Sequence, residues 1–337
     1  MRSSFEGSSA GRPQIGQSAR GAASAGPAGA GAPPVDQTSL VGGAPAQPGT
    51  LATELRRIFV HIRWPVQSYV LLGFLFGSIV AKHPVTVDVV LGLVSWFLIC
   101  AGLTVFNSYY DKDEDPVGGM AKPPKVTASL LYGSLVMQVA GLVLAIVLGG
   151  VFLYLAIAVI ILYILYSHRL FRFKSNGYAA VLINAVLGSL TILAAASLGP
   201  RAGAAALALA AGSAALFKAS VYMMMQVHQI REDKARGDVS VAVMFGRDKT
   251  LRASLFFAVL AGACGAAALA TAGFYVLAGL VLGYFVILAY RFWSWTRQPE
   301  DPKNDYAQVR QMVYLSGYLG SVICLGAYIY FNVAGFN

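Results

Sequence analysis

The chain has 337 residues, 57% of them apolar and only 12% charged, with a net charge of +10 and a mean hydropathy of +0.64. A soluble domain carries roughly twice that share of charge, and apolar runs of roughly 20 residues, long enough to cross a bilayer, recur along the sequence. These features exclude a large soluble α protein and point to a polytopic helical membrane protein, whose excess of Lys and Arg belongs to cytoplasmic loops and not to nucleic-acid binding.

Residues 1–50 are rich in Gly, Ala, Ser, Pro and Gln and lack a sustained apolar run, so they read as a disordered tail. No signal-peptide h-region is present. Ser and Arg with only two acids, Glu6 and Asp36, leave an organelle-targeting reading beside the disordered one. The stretch LRRIFVHIRWP at 55–65 is basic and amphipathic, which places 51–65 along the membrane interface. From 66 to 337 the pattern is a transmembrane domain of nine spans, at roughly 66–82, 87–109, 127–149, 151–167, 178–198, 203–226, 251–272, 274–295 and 312–334. Only Gly149-Gly150 separates the third span from the fourth, and only Gly273 the seventh from the eighth, so both junctions read as tight hairpins. Cys100, Cys264 and Cys324 lie inside apolar runs, with neither metal-ligand spacing nor a disulfide framework, and read as buried small hydrophobes.

The expected fold is therefore all-α, a nine-helix membrane bundle. Lys82 and Arg201 fall in the loops of one side, Lys218 falls inside the sixth span, and the remaining basic residues gather on the other side. The positive-inside rule makes that side cytoplasmic, with the N-terminus inside and a bacterial inner or plasma membrane as the setting.

NSYYDKDEDP at 107–116 leaves the second span on the cytoplasmic side with four acids, Asp111, Asp113, Glu114 and Asp115. On a helix Asn107, Asp111 and Asp115 form one stripe at i, i+4 and i+8, and Pro116 stops the helix. The dipole at a helix C-terminus disfavours acids. A divalent cation reverses that penalty, and hard oxygen ligands that leave room for water and phosphate suit Mg2+. The competing reading is a solvated acidic cap. A second stretch, YMMMQVHQIREDKARGD, leaves the sixth span on the same side and aligns Tyr222, Gln226, Gln229 and Asp233 on one face. Lys122, Lys125, Arg172, Lys174, Lys234 and Arg236 lie near and can bind phosphate oxygens. Two polar stripes facing one cavity at the end of an apolar bundle suit a metal-bound diphosphate with a lipid tail. Tyr109, Tyr110, Tyr166 and Tyr222 are candidates to stabilise an allylic cation, with Tyr222 best placed.

These residues resemble the UbiA superfamily of membrane prenyltransferases, which includes aromatic polyprenyltransferases of quinone synthesis and chlorophyll synthase. NSYYDKDED is similar to the family pattern N-D-x-x-D-x-x-x-D at Asn107, Asp111 and Asp115, and departs at Ser108. QIREDKARGDVSVAVMFG keeps Asp233, Ala235, Gly237, Ser240, Val243 and Gly246 of the second family region. It carries Gln226, Gln229 and Arg231 where upstream acids are usual. LYSHRLFRFKSNGY at 165–178 resembles the corresponding loop of chlorophyll synthase-like members at Tyr166, Ser167, Arg172, Lys174, Asn176, Gly177 and Tyr178.

The likeness covers about 66–334 and implies a divergent, Mg2+-dependent transferase that uses a prenyl diphosphate donor, a lipophilic acceptor and a lipid surrounding. It carries over Asn107, Asp111, Asp115 and Asp233 as metal–diphosphate residues and Arg172 and Lys174 as diphosphate contacts. Ser108, Gln226 and Gln229 mark the substrate class as distinct. A neutral second motif binds one metal more weakly or hydrogen-bonds phosphate instead, and Glu232 could compensate from one residue off the stripe. The rival readings are a membrane terpene cyclase of the same fold and a transporter of an anionic lipid. Clustering of the acids on one side speaks against the transporter.

Elsewhere, Asn184 reads as an interhelical hydrogen bond and Lys218 as either a snorkelling or a cavity residue. His228 reads as structural, Asp88 as a helix cap, and Met223 to Met225 as packing.

Overall fold

The computed structural model describes residues 49–112, 116–118, 120–199 and 203–335. The tail expected over 1–50 thus lies outside the described residues, Gly49 and Thr50 apart. Among the described residues there is no β-strand, only two isolated bridges. Helices α1 (Leu51–His61), α2 (Trp64–Val80), α3 (Val87–Asp111), α4 (Ala128–Leu148), α5 (Gly150–Ser167) and α6 (Gly177–Ala196) make the first part. They are followed by α7 (Ala204–Gln226), α8 (Ile230–Arg236), α9 (Val241–Thr271), α10 (Tyr275–Thr296), α11 (Pro302–Val313) and α12 (Gly320–Ala334). A 3-10 turn at Val227–Gln229 joins α7 to α8, and a π-helical segment at Tyr314–Leu319 joins α11 to α12. Eight of the described helical stretches are long and apolar enough to cross a bilayer, and the α1–α2 pair, bent by 53°, raises the count to as many as nine. The protein is a multi-pass membrane protein, with hairpins at Gly149 and Gly273 where the sequence places them.

The bend between α1 and α2 falls at Arg63, which is left-handed (φ 55°). Pro65 stands in the first turn of α2, where its missing N–H leaves no bond unmade. Buried Glu54 accepts from Thr127 Oγ1 at 2.6 Å and His61 Nε2 donates to Pro124 O at 3.0 Å, which pins α1 to the segment before α4. Leu51, Leu55 and Phe59 remain exposed, the apolar stripe of an interfacial helix.

Lipid offers no hydrophobic drive between helices, so close approach and polar contacts hold the bundle together. A Cβ on Gly102 of α3 would meet Ser134 O of α4 at 2.7 Å, so only glycine permits this approach. Ser95 Oγ donates to Gly141 O across the same pair at 2.7 Å. Between α7 and α9, Ser213 donates to Ala261 O (2.8 Å) and Ser220 to Ser254 O (2.7 Å). Gly246 interrupts α9 with φ 76° and ψ 171°, a conformation suited to glycine. Just beyond it, buried Arg247 bonds both carboxylate oxygens of buried Asp305, and Trp295 Nε1 donates to Asp305 Oδ1 at 2.8 Å. Thus α9, α10 and α11 are locked at one end of the bundle.

Two local expectations change. Thr86, not Asp88, caps α3 through its Oγ1, because Asp88 already lies in the first helical turn. Asn184 donates to Ala180 O of its own helix at 2.9 Å and not across helices, a mid-helix amide finding its i−4 carbonyl.

Candidate active site

Helix α3 carries Asn107 and Asp111 on one face to its end at Asp111, where Lys112 turns left-handed (φ 51°) and stops it. Asn107 Nδ2 donates to Asp111 Oδ2 at 2.7 Å, and Ser167 Oγ donates to Asn107 Oδ1 at 2.8 Å. The i, i+4 spacing therefore has the expected result for this pair. Asp115, with Asp113 and Glu114, lies outside the described residues.

On the opposite side the chain leaves α7 through the 3-10 turn into α8. Tyr222, Gln226, Gln229 and Asp233 still line one chamber, together with Asn107, Asp111, Tyr166 and Lys174. Asp233 accepts from Ser240 Oγ at 2.6 Å. It stands on α8, beyond the apolar span that ends with α7, and burial pushes its carboxyl up to about 6, against that hydrogen bond.

Backbone bonds bring the basic loop into register. Gly177 N donates to Val239 O (2.8 Å) and Val239 N to Ser175 O (3.0 Å), so the loop before α6 runs beside the loop after α8. That pairing sets Lys174 in an ion pair with Asp111, and Arg172 Nη2 3.0 Å from Asp238 Oδ2. His228 Nε2 donates to Pro116 O at 3.0 Å, a structural role that ties the turn after α7 to the loop after α3.

Not every expected residue reaches the chamber. Lys122 is exposed, and neither it nor Arg172 lines the wall. Tyr109 and Tyr110 also fall outside it, with Tyr110 packed on Phe106 and His168. Met223 and Met224 are buried packing, as expected, whereas Met225 at the end of the same run lines the chamber. The wall adds residues that sequence patterns left unassigned: Arg63, Tyr163, Asp238 and Ser240. Tyr163 precedes Tyr166 by three positions on one face of α5, a spacing that could have flagged it. Tyr163, Tyr166 and Tyr222 form an edge-to-face series with centroids 5.9 and 6.4 Å apart. Ser108, the departure from the family pattern, faces Arg63, whose Nη2 donates to Ser108 Oγ at 3.0 Å.

The chamber shares Val66, Tyr69, Thr104, Tyr163, Leu187 and Lys218 with a second, mainly apolar cavity that runs into the bundle past Phe76, Ile192, Phe217 and Phe285. A polar chamber thus adjoins a mainly apolar tunnel along a shared wall.

The donor set suits Mg2+. Asp111, Asp233 and the amides of Asn107, Gln226 and Gln229 present hard oxygens to one space. Among the described residues no group of three His, Cys, Asp or Glu is close enough to hold a metal ion by itself, so these residues do not form a closed protein cage. They match an ion held by one or two carboxylates plus phosphate and water.

Comparison with known proteins adds to this geometry. A model of the UbiA prenyltransferase family matches residues 70–316. No curated protein matches the sequence. The structure of a UbiA homolog from Archaeoglobus fulgidus bound to DMAPP and Mg2+ is similar with a TM-score of 0.61 at 18% identity, over 79% of this chain and 99% of that one. The homolog bound to GPP and Mg2+ gives 0.61 at 20%, over 80% and 99%. A digeranylgeranylglyceryl phosphate synthase structure gives 0.58 at 16%, over 82% and 99%. These likenesses show a shared fold.

Proposed function

The chain belongs to the UbiA prenyltransferase family, and we propose that it transfers a prenyl group from a prenyl diphosphate to a lipophilic acceptor within the membrane, in a Mg2+-dependent reaction. The observation that carries this reading is the adjacency of two cavities: Asp111 and Asp233 line one polar chamber, and that chamber shares a wall with a mainly apolar tunnel. The donor's diphosphate belongs in the first and its prenyl chain in the second. Relatives of the same fold bound to DMAPP or GPP with Mg2+ support the assignment. By the distribution of Lys and Arg, the chamber opens on the cytoplasmic side.

Asn107, Asp111 and Asp233, with Asp115 from the same motif, would hold the metal–diphosphate. Bound Mg2+ would neutralise charge on the departing diphosphate. Lys174 and Arg236 supply ammonium and guanidinium donors to its oxygens. Gln226 and Gln229 orient phosphate through neutral amides, so this half of the chamber carries less negative charge than a fully acidic motif. As the allylic C–O bond lengthens, positive charge grows on the carbon and the faces of Tyr166 and Tyr222 stabilise it. The tunnel walls exclude water that would otherwise capture the carbon.

A labelled prenyl diphosphate panel incubated with the purified protein, Mg2+ and an extract of its host membrane tests this. A prenylated lipid that forms with Mg2+ and not with EDTA is the expected product. A cyclic hydrocarbon or alcohol formed with no acceptor would replace the transferase reading with a cyclase.

A further inference from the structure

Lys218 of α7 lies on the shared wall of chamber and tunnel, and among the described residues lining the tunnel it is the single charged side chain. The other cations at the chamber have protein partners: Lys174 has Asp111, Arg236 has Glu232, and Arg63 has Ser108. Among the described residues lining the tunnel there is no carboxylate to pair with it. An ammonium in an apolar wall without a counter-charge is costly, so its natural counterpart is a ligand.

Its position selects which ligand. Lys218 precedes Tyr222 by one helical turn and Gln226 by two, about 12 Å of helix axis away from the diphosphate end. A hydrocarbon prenyl chain has nothing to offer a charge. We propose that Lys218 binds the anionic oxygen, carboxylate or phenolate, of the lipophilic acceptor at the neck between chamber and tunnel. This rests on the prenyl-transfer reading above. The pairing also removes an adverse charge: an unpaired ammonium there would repel the allylic cation, whereas a neutralised pair presents an electron-rich acceptor to it.

The test uses the full-length protein in phosphatidylcholine nanodiscs and three probes: dodecanoate, 1-dodecanol, and geranyl diphosphate with Mg2+. Wild type and Lys218→Arg are expected to bind dodecanoate more tightly than dodecanol. Lys218→Met should lose about tenfold or more in dodecanoate affinity, the scale of one charged hydrogen bond, while dodecanol binding stays as in wild type. Equal dodecanoate affinity in wild type and Lys218→Met overturns the proposal. So does a loss confined to geranyl diphosphate, which would assign Lys218 to the donor. Failure of wild type to bind geranyl diphosphate would instead count against prenyl transfer itself, independently of the dodecanoate arm.

Discussion

Lys174, in the loop before α6, forms an ion pair with Asp111 at the end of α3. The same carboxylate is bonded by Asn107 on its other oxygen. Asp111 is thus held by Lys174 and Asn107 among its partners, and on the proposed reading a metal–diphosphate entering the chamber would draw the Lys174 ammonium from carboxylate to phosphate. Lys174→Met should therefore weaken donor binding by about 10- to 100-fold, mainly in KM, since a charged hydrogen bond contributes about 1.5–3 kcal/mol. Steady-state kinetics over a prenyl diphosphate titration check this.

Asp111→Asn and Asp233→Asn should each lower kcat/KM by about 100-fold or more, because each removes an anionic oxygen facing the metal–diphosphate. Full activity in both variants, in a purified assay dependent on Mg2+, would falsify the metal-site assignment.

The pH profile carries its own sign. Burial holds the Asp233 carboxyl at about 6, so it is an anion above that pH and a neutral acid below it. Activity should fall on the acid side, near pH 6. Metal and proton compete for the same oxygens, so higher Mg2+ should move the acid limb to lower pH. Ser240→Ala removes the hydrogen bond that favours the anion and should move it higher. A limb indifferent to both changes counts against Asp233 as a ligand.

Tyr222→Phe should retain most of kcat and Tyr222→Leu should lose about 2- to 30-fold, since the proposed role belongs to the ring face, at about 0.5–2 kcal/mol. Single-turnover rates with saturating donor separate this from a binding defect. A loss as large in Tyr222→Phe would assign the role to the hydroxyl instead.

Stability has a separate centre. Asp305→Ala leaves buried Arg247 with only the exposed carboxylate of Asp248 and should destabilise the protein by up to about 3–5 kcal/mol. Combining Arg247→Met with Asp305→Leu should recover much of that loss, because apolar residues of similar volume replace a buried pair at little cost. Unfolding in detergent, followed by near-UV circular dichroism, gives both comparisons.

Much of the bundle was legible because span length and loop charge are local properties. So was the α3 stripe, since Asn107 and Asp111 need only helical periodicity to meet. Tyr222, Gln226, Gln229 and Asp233 reach the same wall despite the 3-10 turn between α7 and α8. Loop residues were harder to place. Lys122 and Lys174 look alike in sequence, yet only Lys174 is carried into the chamber, by backbone bonds between segments more than 60 positions apart. Arg63 looks interfacial by composition, and its left-handed turn directs it to Ser108. Tyr163 is hidden in an apolar run, and only its three-residue spacing from Tyr166 on one face of α5 marks it as a cavity tyrosine.

Three anchors join the first residues of the described fold to the segments around the acidic motif: Glu54 to Thr127, His61 to Pro124 and Arg63 to Ser108. Of these residues only Arg63 lines the chamber. Selection for activity can therefore act on positions in α1 that never meet a substrate, and such changes would surface as altered kinetics with the reacting groups intact. Relatives could drift in how they grip this segment while keeping the same chemistry.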